Sequence, residues 1–164
     1  MNRVLIILFL ACAGLSACTK GYDEAAVVRA QATVDDRIIQ DYMAAHSLGV
    51  SAKRIDTTGV FYIIEAPGTG NALYTNSTRV TVNYEGRILT TGAVFTKNNG
   101  FSPTFVLGEV IKGWQLGIPQ IKKGGRVRLL IPSRYAYGAF DQPDIGLPAN
   151  TVVDFEIQLL DVTN

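Results

Sequence analysis

The sequence predicts an α+β fold: a curved antiparallel sheet wrapped around one short helix, preceded by an N-terminal amphipathic helix. Three observations point to it. From Gly59 onward, apolar residues recur with a period of two in several separate stretches. One stretch, Val110 to Ile121, instead carries its apolar residues at helical spacing, and Pro119 keeps that helix short. Sixteen Gly and six Pro among 164 residues supply the turns that short strands need.

The chain opens with an address. Arg3 is followed by the apolar run Val4-Leu5-Ile6-Ile7-Leu8-Phe9-Leu10, so residues 1–17 read as a secretory signal. The run is too short to span a bilayer, which takes roughly 20 apolar residues. Leu15-Ser16-Ala17-Cys18 then resembles the lipobox of bacterial lipoproteins, which makes Cys18 the expected lipidation site. Cleavage before Cys18 removes Arg3, the one charge in residues 1–17, and leaves basic and acidic residues balanced. More than one acyl chain gives durable anchoring, so a soluble domain tied to a membrane is expected. Thr19 stands where an Asp would favour the inner membrane, so the expected location is the cell envelope, on the outer membrane facing the periplasm.

Residues 18–34 are small and polar and read as a tether that turns helical toward its end. Within 35–58, the helix and linker segment, Ile38, Ile39, Tyr42 and Met43 recur at three- and four-residue intervals and define an amphipathic helix from Asp35 to His46. Asp35 and Asp36 favour its positive end, and Leu48-Gly49 supplies a stop. The apolar stripe needs a cover, either the C-terminal domain or a second copy. His46, the only histidine, reads as a helix-end surface residue.

The remainder, 59–164, forms the main domain. Val60-Phe61-Tyr62-Ile63-Ile64 is a strand that runs out at Pro67-Gly68. Val80, Val82 and Tyr84 alternate with Thr81, Asn83 and Glu85, and Thr90-Thr91-Gly92 marks a turn. Val127, Leu129 and Ile131 alternate with Arg126, Arg128 and Leu130. Val153, Phe155, Ile157 and Leu159 alternate with Asp154, Glu156, Gln158 and Leu160. One wet face per strand predicts a sheet packed on a single side. Its cover is the helix that carries Val110, Ile111, Trp114, Ile118 and Ile121.

Composition excludes several chemistries. Fifteen basic against fourteen acidic residues give a net charge of +1, no field for a nucleic-acid partner. With one His and two Cys, one lost with the signal and the other lipidated, no zinc site or Cys-His pair is expected. No glycine-rich phosphate loop follows a strand, and no cofactor is called for. What remains is aromatic: nine of the fifteen aromatic residues lie between Tyr84 and Phe155, the only Trp among them.

Val82-Asn83-Tyr84-Glu85-Gly86, Gly92-Ala93-Val94-Phe95, Val110-Ile111-Lys112-Gly113-Trp114, Tyr135-Ala136-Tyr137-Gly138 and Leu147-Pro148-Ala149-Asn150 leading to Phe155 occur in an order and spacing that resemble the FKBP-type peptidyl-prolyl cis-trans isomerases. The resemblance covers about Gly59 to Asn164, and the lipobox and N-terminal helix resemble the bacterial lipoprotein members. It implies a substrate pocket floored by Trp114 and bounded by Tyr84, Phe95, Val110, Ile111, Tyr137, Leu147 and Phe155, with proline-containing polypeptides as clients and a macrolide as a further ligand. It also implies that the Ile111 backbone N–H holds a carbonyl beside the scissile-free, rotating bond. The family usually has Asp after the Phe of the second motif, with an Arg a few residues later; here Thr96 takes the first place, and Lys97 is the only basic residue between Phe95 and Glu109. Losing both partners leaves no unpaired charge, but it puts a hydroxyl in the pocket wall. Three readings stay open: a membrane-tethered isomerase, a binding module that grips apolar or proline-containing segments with little turnover, and a structural subunit of an envelope complex that docks through the Asp35–His46 helix.

Overall fold

The computed structural model describes residues 23–164; the expectations for the signal segment and for Cys18 lie outside the described residues. Helix α1 runs from Glu24 to Ala45, capped by Asp23, whose Oδ1 accepts the Ala26 N–H at 3.0 Å. The segment read as a tether is therefore helical from Glu24. Its Glu, Ala, Arg and Gln residues are strong helix formers, and they make a helix without an apolar stripe to announce it. The helix ends at Ala45, and the turn out of it is made by Ser47, at φ 55°, ahead of Gly49.

Seven strands form one antiparallel sheet: β1 (Lys53–Arg54), β2 (Phe61–Ala66), β3 (Arg79–Ile88), β4 (Val94–Lys97), β5 (Thr104–Val106), β6 (Arg126–Ile131) and β7 (Val153–Thr163). Their spatial order is β1-β2-β6-β7-β3-β4, with β5 pairing the other end of β3. The longest ladder joins β3 to β7 and sets Gly86 opposite Phe155 and Tyr84 opposite Ile157. Asn98 bridges the gap between β4 and β5: its Oδ1 accepts the Tyr84 N–H at 2.8 Å, and its Nδ2 donates to Asn83 and to the Phe101 carbonyl.

The inner face carries the main core. Val80, Val82, Val127, Leu129, Ile131, Val153, Phe155, Ile157 and Leu159 are buried there, as the period-two pattern predicts. They close on α2 (Lys112–Gly117), which is followed by a 3-10 turn over Ile118–Gln120 that begins beside Pro119. Two glycines let α2 lie flat on β6. A Cβ on Gly113 would sit 2.5 Å from Ile131 Cγ2, and one on Gly117 would sit 2.4 Å from Leu129 Cδ1. Val110 and Ile111 precede this helix in extended backbone and do not share it.

The outer face is also covered, which corrects the single-sided sheet. Ile39 and Met43 of α1 join Leu89, Leu130 and Val152 in a second core, with Ile38, Tyr42 and Phe61 packed around them. Leu130 is the reason: it stands in a polar position of its strand and is fully buried only because α1 lies over it. The α1 stripe is thus covered by the chain's own sheet. Polar groups close the seam. Arg128 donates to both oxygens of Asp154 (3.0 and 2.7 Å) and to the Tyr42 hydroxyl (2.7 Å). No helix among the described residues is long and apolar enough to cross a membrane.

Candidate active site

Tyr84 and Phe155 face each other across the inner surface of β3 and β7, and α2 brings Trp114 up beneath them. The indole meets Tyr84 at 5.2 Å and 74°, Phe155 at 5.2 Å and 88°, and Phe105 at 5.9 Å and 83°, all edge to face. That geometry sets the positive edge of one ring on the negative face of the next. Above the indole is a cavity of about 280 Å³, open on one side, lined by Tyr84, Thr96, Phe105, Glu109, Val110, Ile111, Trp114, Tyr137 and Phe155. This is near the lower end of small-ligand sites, about 300 Å³. Trp114 is 5% exposed, and its buried Nε1–H has no partner among the described residues.

The cavity gathers seven of the nine residues singled out from the sequence: Tyr84, Thr96, Val110, Ile111, Trp114, Tyr137 and Phe155. It does not include Phe95 or Leu147. Phe95, half-buried, stands edge to face with both Tyr137 (5.9 Å) and Phe155 (5.6 Å). Leu147 is buried in the main core, where its backbone pairs with Gln142 and closes the loop before β7. Phe95 instead buttresses two rings of the lining, and Leu147 is taken up by the main core. Phe105 and Glu109 are the wall residues that sequence reasoning missed. Phe105 lies on a strand of three residues, too short to show a period, whereas Glu109 directly precedes Val110-Ile111 and was within reach of that motif.

The loop before α2 is fixed by Gln115, whose Nε2 donates to the Gly108 carbonyl at 3.1 Å and to the Val110 carbonyl at 2.7 Å. Ile111, as the residue capping α2, has φ −55° and ψ 148°. Its carbonyl accepts from Trp114 N–H, while its own N–H has no acceptor among the described residues. Tyr137 is held by a tight loop in which Ala136 and Gly138, on either side of it, both donate N–H to the Ser133 carbonyl at 2.9 Å. Burial, with a smaller contribution from Tyr84, pushes the Tyr137 hydroxyl above the ordinary tyrosine range, so it is a donor at neutral pH. The wall therefore offers apolar ring faces, the phenolic and Thr96 hydroxyls, the Glu109 side chain and, at Ile111, a backbone N–H without an acceptor among the described residues. It offers no nucleophile paired with a base.

The family model described as FKBP-type peptidyl-prolyl cis-trans isomerase matches residues 70–160. The FKBP-type peptidyl-prolyl cis-trans isomerase FkpA of Buchnera aphidicola from Acyrthosiphon pisum is 34% identical over 155 residues, covering 92% of this chain and 62% of that protein. Peptidyl-prolyl cis-trans isomerase Fkbp12 of Drosophila melanogaster is 37% identical over 108 residues, 63% of this chain and 98% of its own length. A crystal structure of a peptidyl-prolyl cis-trans isomerase from Pseudomonas syringae superposes with a TM-score of 0.67 at 30% identity, covering 80% of this chain and 96% of that one. The chain spans 62% or less of the length of the FkpA relatives it matches. Matched through the strands and α2 that build the aromatic cavity, this chain belongs to the FKBP-type peptidyl-prolyl cis-trans isomerase family.

Proposed function

We propose that the domain is a peptidyl-prolyl cis-trans isomerase that assists the folding of envelope proteins by binding X-Pro segments in the cavity over Trp114. The observation that carries this reading is the combination of a largely ring-lined cavity with Ile111 in its lining, whose N–H has no acceptor among the described residues. Rotation about an amide faces a barrier of about 18–20 kcal/mol because nitrogen shares its lone pair with the carbonyl. At X–Pro the two isomers are close in energy yet exchange over tens to hundreds of seconds. The twisted transition state has lost that conjugation, and its carbonyl is less dipolar than the planar form. An apolar wall therefore disfavours the planar amide relative to the twisted one. Trp114 carries the proline ring, while the Ile111 N–H and the Tyr137 hydroxyl hold flanking carbonyls and fix the geometry. The same rings suit a macrolide.

The test is exchange of a short X-Pro peptide followed by NMR. Wild type accelerates exchange and Trp114→Leu does not. A wild-type protein that leaves the exchange rate unchanged but suppresses aggregation of an unfolded client establishes the binding-module reading instead. That reading draws on Thr96 in the wall and on the solvent-exposed rings of Phe101 and Phe140.

We infer from Leu15-Ser16-Ala17-Cys18 that Cys18 carries a lipid anchor, which places the domain on a membrane of the cell envelope facing the periplasm. Cys18→Ser is expected to move the protein to the soluble fraction; unchanged membrane fractionation overturns the anchor.

A further inference from the structure

Asp35 lies in the middle of α1 and is fully buried. A buried carboxyl group is tolerated only where donors meet it. Two of the donors come from the far end of the chain: the Ser133 N–H and the Ser133 hydroxyl reach Asp35 Oδ2 at 2.8 and 2.6 Å. Gln31 Nε2 satisfies Oδ1 at 2.8 Å. The next residue on each side repeats the link, since Arg134 Nη2 donates to Asp36 Oδ1 at 2.9 Å and to the Thr58 carbonyl at 2.8 Å.

Ser133 is also the hub of the Tyr137 loop. Its carbonyl receives the N–H groups of Ala136 and Gly138, the two neighbours of Tyr137, and the Gly138 carbonyl in turn receives the Asn150 N–H at 2.8 Å. One residue thus joins the α1 carboxyl on one side to the backbone bracketing a cavity-wall ring on the other. We propose that Asp35 is a positioning residue for Tyr137: through Ser133, helix α1 sets the loop that places the Tyr137 ring in the cavity. This rests on the isomerase reading of the cavity, and it extends the working site to a helix outside the matched segment 70–160. Asp suits the task because one carboxylate oxygen accepts a backbone N–H and a hydroxyl together. Truncation leaves both donors buried and unpaired, so the loop must shift to find water.

The experiment compares Asp35→Ala and Ser133→Ala with Tyr42→Phe, which removes a different polar anchor of the same helix, at Arg128. Each full-length variant is measured for kcat/KM on an X-Pro peptide, for melting temperature, and for the ring resonances of Tyr137, assigned against Tyr137→Phe. Small displacements of an orienting group cost up to a hundredfold in rate, so Asp35→Ala is expected to lose about tenfold in kcat/KM and to shift the Tyr137 resonances. Ser133→Ala moves both in the same direction, by less. Tyr42→Phe lowers the melting temperature but leaves the rate and the Tyr137 resonances unchanged. The proposal is overturned if Asp35→Ala melts earlier with Tyr137 undisturbed, or if Tyr42→Phe loses as much rate. Should Asp35→Ala fail to fold, Ser133→Ala with unmoved Tyr137 resonances overturns it equally. A wild-type protein without isomerase activity sinks the isomerase reading alone, because the resonances still report whether Asp35 positions the ring.

Discussion

The indole of Trp114 and the ring of Phe155 meet at 5.2 Å with their planes 88° apart, one from the short helix and one from the last strand. This contact ties the floor of the cavity to its wall. Trp114→Leu keeps an apolar side chain but loses the edge-to-face contacts with Phe155, Tyr84 and Phe105, each worth about 0.5–1.5 kcal/mol. Unfolding free energy is expected to fall by about 2–3 kcal/mol in urea titrations. X-Pro exchange is expected to slow by at least about tenfold, the equivalent of about 1.4 kcal/mol of lost transition-state contact. Exchange at the wild-type rate would put the reaction away from the indole.

Gly86 decides whether Phe155 can stay where it is. A Cβ at that position would lie 2.5 Å from Phe155 Cε1, 2.9 Å from its Cζ and 2.8 Å from Thr96 Cγ2. Trp114 and Phe95 stand against the ring, so the space left for it to yield into is the cavity it lines. Gly86→Ala is therefore expected to cost about 1–3 kcal/mol in overpacking and to lower affinity for any ring-shaped ligand of the cavity. Denaturation and peptide-binding titrations check the two effects separately.

How much of this was legible in the sequence depends on the length over which a pattern repeats. Val127, Leu129 and Ile131, or Val153, Phe155, Ile157 and Leu159, announce their inner face because period two persists for several residues. Strands β1 and β5, at two and three residues, are too short to show any period, and Phe105 was missed with them. The first half of α1 is helical by propensity alone, with exposed Val27, Val28 and Val34 giving no buried stripe to read. The site was legible where motif residues sit on regular elements or turns, as with Trp114 and Tyr137. Contacts such as Asp35 with Ser133 carry no periodic signal at all, because two polar groups 98 residues apart meet only through the fold.

The Arg128–Asp154 pair tests whether the α1 side of the sheet stabilises without touching the chemistry. Both side chains are largely shielded, at 19% and 6% exposure. Hydrogen bonding to Asp154 pushes the Arg128 guanidinium above its ordinary range. A cation whose folded pKa is raised contributes its stability below its unfolded value, so the pair holds throughout the working pH range. Asp154→Ala strands a shielded guanidinium and is expected to cost about 3–5 kcal/mol, with no recovery on raising the pH toward 10. Replacing both partners by apolar residues is expected to restore most of the loss. X-Pro exchange by either folded variant is expected to stay at the wild-type rate, because the pair lies on the face opposite the cavity; a rate that falls with stability would show that the two faces are coupled through this pair.

Alkaline pH reads the burial of Tyr137 directly. Its hydroxyl titrates above the ordinary value of 10.0 because burial penalises the phenolate, and the nearby Tyr84 adds to the effect. In the unfolded chain the proton leaves at about pH 10, while the folded chain still holds it. Above that point the unfolded state binds fewer protons, so the tyrosine's contribution to stability, complete below pH 10, is lost as pH rises through the folded pKa. The slope attributable to one such group is at most about 1.4 kcal/mol per pH unit. Tyr74 is also raised by burial, which makes Tyr137→Phe the necessary reference, since it keeps the Tyr74 contribution and deletes the other. Urea midpoints for wild type are expected to fall more steeply above pH 10 than those of Tyr137→Phe, and identical slopes would mean that the hydroxyl is solvated. At neutral pH the same substitution removes one neutral hydrogen bond to the bound peptide, worth about 1 kcal/mol, so X-Pro exchange is expected to slow by about fivefold while the fold is retained.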